Sequence, residues 1–281
     1  MKSENLMRVT NKTIQRISIF SVIAAVAFFV VSLLIYLLSP TLDYMLVIAL
    51  TIGVAPPGVA SIIRNQWKRK IERATPEFLR DLATASKTGI PLQIALEHAS
   101  NRMYGPLTNE LKLLVAHMSW GLNFNEALTE FSNRIDLPLI KRATILIIEA
   151  GKHGGDLSDI FESTAKYLEN VNAWSEKRRQ QTLPYIAIFY FSVFIFLFII
   201  IIISNMMFVP MSSISSTSIS FIKPIMTQAA SKRLFLHTAL LESLFGGLIA
   251  GKINEDSFID GLKHVTILAL ASGIAFYFFL H

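Results

Sequence analysis

The pattern of hydrophobic and polar positions divides the chain into apolar runs on either side of one polar block. Two stretches before the block, 17–42 and 44–63, contain no charged residue. A membrane-spanning helix needs about 20 apolar residues, so each stretch predicts a span. Three further spans are predicted after the block, near 183–207, 234–250 and 265–280. The pattern therefore predicts about five transmembrane helices.

Basic residues cluster beside these runs, at 2–16, 64–73 and 177–179. Lys and Arg in such positions hold the cytoplasmic ends of membrane helices. The polar block is therefore expected in the cytoplasm, and five spans place the carboxyl terminus outside. Four segments are therefore predicted. A cytoplasmic tail at 1–16 is followed by a transmembrane hairpin at 17–63. A cytoplasmic helical bundle with basic flanks at 64–182 precedes three spans with an external serine-rich loop at 183–281.

The polar block contains residues that typically begin and end short helices. Thr75, Pro76 and Glu77 form an N-cap, a first-turn proline and an early acid, which predicts a helix start there. Glycines are expected at the joints or in helix packing, namely Gly89, Gly105, Gly121, Gly151, Gly154 and Gly155. The six predicted helices cover 76–87, 91–101, 106–120, 124–135, 138–149 and 157–174.

An internal repeat runs through the block. Residues 89–96, 121–128 and 154–161 share a glycine, a Pro, Asn or Asp helix starter, and apolar anchors. Each copy predicts a helical hairpin, and three hairpins must pack together to bury their apolar faces. The expected fold is all-α, a polytopic membrane protein with a cytoplasmic six-helix bundle. The last helix of the bundle and the third span are expected to form a nearly continuous rod.

Composition and motifs argue against several functions. The chain has no cysteine, which excludes thiol chemistry. Its net charge is +6, but residues 75–172 carry nine Lys/Arg against twelve Asp/Glu, so nucleic-acid binding is not expected. Glu149, His153 and Asp156 flank one glycine joint, where helix contacts and capping are favoured over metal binding. No catalytic motif occurs, and no enzyme activity, metal or cofactor is expected.

Glu242 is the most costly residue in the predicted spans, because a carboxylate inside a membrane often marks an ion path. A structural packing role is favoured here, since no relay of partners accompanies it. Gly247 and Gly251 form a small-residue face that lets helices approach closely. A small transporter or channel that uses Glu242 stays open as the alternative function.

Four groups of residues give the block its resemblance to a known family. They are Pro76–Ala83 with Gly89; Tyr104–Leu107; Gly121 with Glu126–Leu128; and Glu149–Gly151 with Gly154–Leu157. The block resembles the F domain of type II secretion and type IV pilus assembly platform proteins. The tail, with Gly246–Gly251, Gly261 and His264, is similar to the archaeal branch, the archaellum and archaeal pilus platforms.

This resemblance implies a non-enzymatic platform at the base of a filament or secretion machine, without a cofactor. Such proteins contact a hexameric secretion ATPase and help move pilin-like subunits from the bilayer into a filament. Platforms of the family commonly carry two F domains, whereas one is seen here, which implies a homodimer or pairing with a second platform subunit. The expected ATPase-contact residues are Arg134, Lys141, Arg142, Glu149 and Lys152.

Overall fold

The computed structural model describes residues 43–153, 156–204, 206 and 228–280. These residues form helices and contain no strand, which confirms the all-α class. The predicted first span and most of the serine-rich loop lie outside the described residues. The helices are α1 (Asp43–Lys87), α2 (Leu92–Ser100), α3 (Pro106–Ser119), α4 (Phe124–Ile135), α5 (Pro138–Lys152), α6 (Leu157–Ile203), α7 (Gln228–Glu255) and α8 (Phe258–Leu280).

The chain divides into two compact units. The bundle unit comprises residues 63–178, and the described part of the membrane unit comprises 43–62 together with 179–204, 206 and 228–280. Among the described residues, three helices are long and apolar enough to cross a membrane, within α6, α7 and α8. The predicted span at 44–63 falls in the first half of α1 and is not among these three. The count of five therefore stays a prediction.

The expected helix start at Thr75 is wrong, because α1 runs through it without interruption. The buried Thr75 hydroxyl donates a hydrogen bond of 2.8 Å to the carbonyl oxygen of Ile71, one turn back. A threonine can satisfy a carbonyl of its own helix in this way. Ile71, Phe78 and Leu82 lie on the same face of α1 and are almost fully buried. Packing on both sides of Pro76 therefore overrides the local helix-start signal.

Three of the predicted joints, Gly89, Gly105 and Gly121, have the backbone that glycine permits. Gly89 has a φ of 74° and Gly121 a φ of 101°, in the region that side chains disfavour. Gly151 lies instead inside the last turn of α5, and Gly154 and Gly155 are outside the described residues. The helix starters of the repeat differ: Asn123 caps α4 with its side chain, whereas Pro91 makes no side-chain cap.

The cap of α4 is a complete capping box, and its loss has a measurable effect. Asn123 accepts a bond of 2.9 Å from the Glu126 amide, and the Glu126 carboxylate accepts from the Asn123 amide. We expect Asn123→Ala to destabilise α4 by about 1 kcal/mol, because the Glu126 amide loses its acceptor. Faster hydrogen exchange in the first turn of α4 would show it. The control Asn125→Ala, two positions on and exposed, should leave exchange unchanged; equal rates in both variants would contradict the prediction.

The core of the bundle unit is built from one apolar face of each helix. Leu107, Leu111 and Leu114 of α3 recur at three- and four-residue spacing, and all three are buried. They pack in one cluster with Phe131 of α4 and Phe161 of α6. The Phe124 ring meets Phe161 edge-on, with centroids 6.4 Å apart. The expected single bundle of hairpins is what this shared core produces.

The membrane unit has its own smaller core. Val193, Leu197 and Ile200 of α6 pack with Leu236 of α7 and Leu268 of α8. Pro184 stands at the start of the span predicted near 183–207, and it lies inside α6, which runs unbroken from Leu157 to Ile203. The expected rod is therefore one continuous helix.

Candidate partner-binding surface

Helix α5 carries four of the five expected contact residues. Pro138 occupies its first turn, where the missing N–H is harmless. Its buried side chains, spaced by one, three and four residues along one face, are Leu139, Ile140, Ala143, Thr144 and Ile147. Burial of that face turns the opposite one to solvent. The exposed side chains there include Arg142, Ile145, Leu146, Glu149 and Lys152.

The charged candidates differ in the ion pairs that they already form within the chain. Arg134, at the end of α4, bonds through Nε to the Glu110 carboxylate at 2.6 Å, and both side chains are mostly buried. Lys141 contacts Asp136 at 2.5 Å, and Lys152 contacts Glu149 at 2.7 Å. Arg142 has no ion pair within the part of the chain that the structure describes. Arg134 thus helps to join α3 to α4, whereas Arg142 is available.

Electrostatics on α5 favour a charged Glu149. The hydrogen bond from Lys152 and its positive charge lower the pKa of the Glu149 carboxyl below its ordinary value. Exposed pairs of this kind contribute little stability. Glu149 is therefore an anion at neutral pH and can accept a second donor.

Ile145 and Leu146 were not among the expected site residues. Their side chains are 59% and 46% exposed, in the middle of the charged face of α5. Helical spacing indicates the exposure of Ile145, since a helix that buries 139, 140, 143 and 147 must turn 145 outward, whereas 146 lies at the border of the buried face, seven residues after Leu139. Counting charges alone did not find it.

A second group of residues that was not predicted joins the segment between α2 and α3 to α1. The Tyr104 hydroxyl donates a hydrogen bond to the Asp81 carboxylate of α1, which also pairs with Arg102. Burial, and then the bond to Asp81, raise the pKa of the Tyr104 hydroxyl. Tyr104 is therefore neutral and serves as a hydrogen-bond donor. This group anchors the chain to α1.

Glu242 lies in α7 beside an apolar groove of about 640 Å³. Ser192 of α6 donates a hydrogen bond of 2.8 Å to its Oε1, and its buried Oε2 has no partner among the described residues. The remaining lining comes from α6 and consists of Ala187, Ile188, Phe191, Ile195, Phe196 and Ile199. The carboxyl group thus joins α7 to α6 and leaves one oxygen unsatisfied.

The two glycines expected in helix packing lie where α7 meets α8. A Cβ on Gly247 would overlap Val265, and a Cβ on Gly251 would overlap the backbone of Gly261. Two buried serines of the same helices, Ser243 and Ser272, bond to each other at 3.1 Å. The absence of side chains at these glycines is what allows α7 and α8 to approach.

The helices and apolar spans define a helical membrane protein with a compact bundle unit. Residues 78–204 match the profile of the family described as "Type II secretion system (T2SS), protein F". This part of the chain is therefore similar to the type II secretion system protein F family. The matched residues begin in α1 and extend to the end of α6.

Relatives from Methanocaldococcus jannaschii agree with the archaeal branch. An uncharacterized protein is 26% identical over 220 residues, which cover 78% of this chain and 35% of the relative. "Flagella accessory protein J" is 25% identical over 180 residues, covering 62% of this chain and 32% of that protein. The chain thus spans about a third of the length of these two relatives. No solved structure matches the chain significantly.

Proposed function

We propose that this protein is a membrane platform of a type IV pilus-like, archaellum or type II secretion machine. The match to protein F, which covers residues 78–178 of the bundle unit and the apolar part of α6, carries the proposal. The bundle lies in the cytoplasm of this multi-pass membrane protein, and the carboxyl terminus lies outside. The basic residues flanking the spans support that orientation.

The platform couples a hexameric secretion ATPase to the insertion of pilin-like subunits into a filament. The exposed face of α5, with Lys141, Arg142, Glu149 and Lys152, contacts the ATPase, together with Arg134 at the end of α4. Helix α6 carries the resulting displacement, since a single helix from Leu157 to Ile203 has no joint to absorb it. The proposed role is mechanical, and no covalent bond is made or broken in this chain.

Binding to the ATPase tests this proposal. We would titrate the full chain in nanodiscs with the secretion-type ATPase of the same organism and follow binding and ATP turnover. Saturable binding is expected, and the double variant Lys141→Glu/Lys152→Glu should weaken it about tenfold, because a contact made by these two lysines loses its charge complementarity. Lys112→Glu, a single charge reversal of the same kind on the exposed surface of α3, is the control.

The alternative function is a small transporter or channel. The unsatisfied Oε2 of Glu242 beside the apolar groove favours it, because buried carboxylates in spans often serve an ion path. Absence of ATPase binding, together with ion flux in liposomes that Glu242→Gln abolishes, would overturn the platform proposal. Filament assembly that survives Glu242→Gln would support the platform proposal.

A further inference from the structure

We propose that the exposed face of α5 is an interface between two copies of this chain. The face is defined by Arg142, Ile145, Leu146 and Glu149, and we call it the α5 stripe. The two copies are related by a two-fold axis that passes between Ile145 and Leu146, with their α5 helices antiparallel. The inference does not depend on the ATPase contact proposed above.

The order of residues along the stripe is self-complementary. Arg142 and Glu149 are two helical turns apart, so they lie on one face about 10 Å from each other. Ile145 and Leu146 lie at the midpoint between them. An antiparallel second helix centred on that midpoint brings its Glu149 to Arg142 and its Arg142 to Glu149. This is the arrangement that an isologous interface requires, in which each contact occurs twice.

The contacts within one chain leave this pairing open. Arg142 has no ion pair within the part of the chain that the structure describes. Glu149 pairs with Lys152 through an exposed contact of one turn. Ile145 and Leu146 expose 59% and 46% of their surface between the two charges. Each copy therefore offers one cation, one anion and an apolar centre that the other copy can cover.

The pairing and the proposed ATPase contact share Arg142 and Glu149, whereas Lys141 and Lys152 belong to the ATPase contact alone. At 100° per residue, Lys141 and Lys152 lie toward one edge of the helix, beside Ile145 and away from Leu146. They remain at the border of the paired helices, where a third partner can reach them. Anchorage in one bilayer also confines and orients the two copies, which raises their effective concentration. A small helix–helix contact is sufficient under that condition.

Charge reversal with rescue tests the interface. The chain has no cysteine, so Ile145→Cys adds the sole thiol to the full-length protein in membranes. Copper–phenanthroline oxidation should then yield a cross-linked dimer. Arg142→Glu or Glu149→Arg, each added alone, should lower the yield about fivefold, because two like-charge contacts form across the axis. The double variant should restore it to within about twofold, since the swap re-creates both pairs.

Controls separate this result from misfolding and from the ATPase contact. Asn125→Cys, exposed on α4, should cross-link at background level, and circular dichroism should be the same for every variant. A double variant no better than the singles, or Ile145→Cys no better than Asn125→Cys, would overturn the interface. ATPase binding without cross-linking would remove this inference alone, and rescued cross-linking without ATPase binding would remove the proposed function alone.

Discussion

Gly251→Ala is expected to destabilise the pair formed by α7 and α8 by about 2 kcal/mol or more, within the range for overpacking. The new methyl group would occupy the space of the Gly261 backbone. A flexible side chain could rotate away, but a backbone cannot move without separating the two helices. The measurement is the thermal midpoint of the full chain in detergent, together with the fraction that stays monodisperse after heating.

The same helix provides a matched control. A Cβ on Gly246 has its nearest neighbour at 4.0 Å, the ring of Phe189, which is an ordinary contact. Gly246→Ala should therefore leave the midpoint within about 1 °C, or raise it, because alanine is the better helix former. Equal midpoints for Gly246→Ala and Gly251→Ala would show that the close approach of α7 and α8 is absent in the protein.

Hydrophobic patterning was sufficient to predict the helical class and three of the spans. Apolar periodicity reflects burial, and burial decides which segments form helices here. Punctuation was less reliable, as Thr75 shows. A cap residue followed by proline begins a new helix only when the chain before it has nothing to pack against. Ile71 and Phe78 flank this position and are buried in one core, so α1 continues.

The surface was predicted only in part, for a related reason. Charges on α5 could be found by reading the sequence, but their partners could not. Arg134 and Glu110 are 24 residues apart, and only the packing of α3 against α4 joins them. The Asp81 carboxylate meets Tyr104 across a similar separation. Such pairs depend on tertiary structure, whereas the exposure of Ile145 follows from helical spacing alone.

Phe161→Ala should have the largest effect on the bundle unit, about 3–5 kcal/mol. The Phe161 side chain is fully buried, and α6 places it in the same core as the leucines of α3. Its removal leaves a cavity bordered by three helices, which cannot all relax into it. Hydrogen exchange of the full chain in detergent would measure the opening free energy of α3 and α4, helix by helix.

Phe124 is the natural comparison, because its ring is the edge-on partner of Phe161 but is only partly buried. Phe124→Ala removes the same number of atoms and the same aromatic contact, so it should cost less than half as much. The difference between the variants then measures burial within the core, apart from the ring pair. Equal losses of protection would mean that the ring pair, and not the shared core of α3, α4 and α6, holds the repeats together.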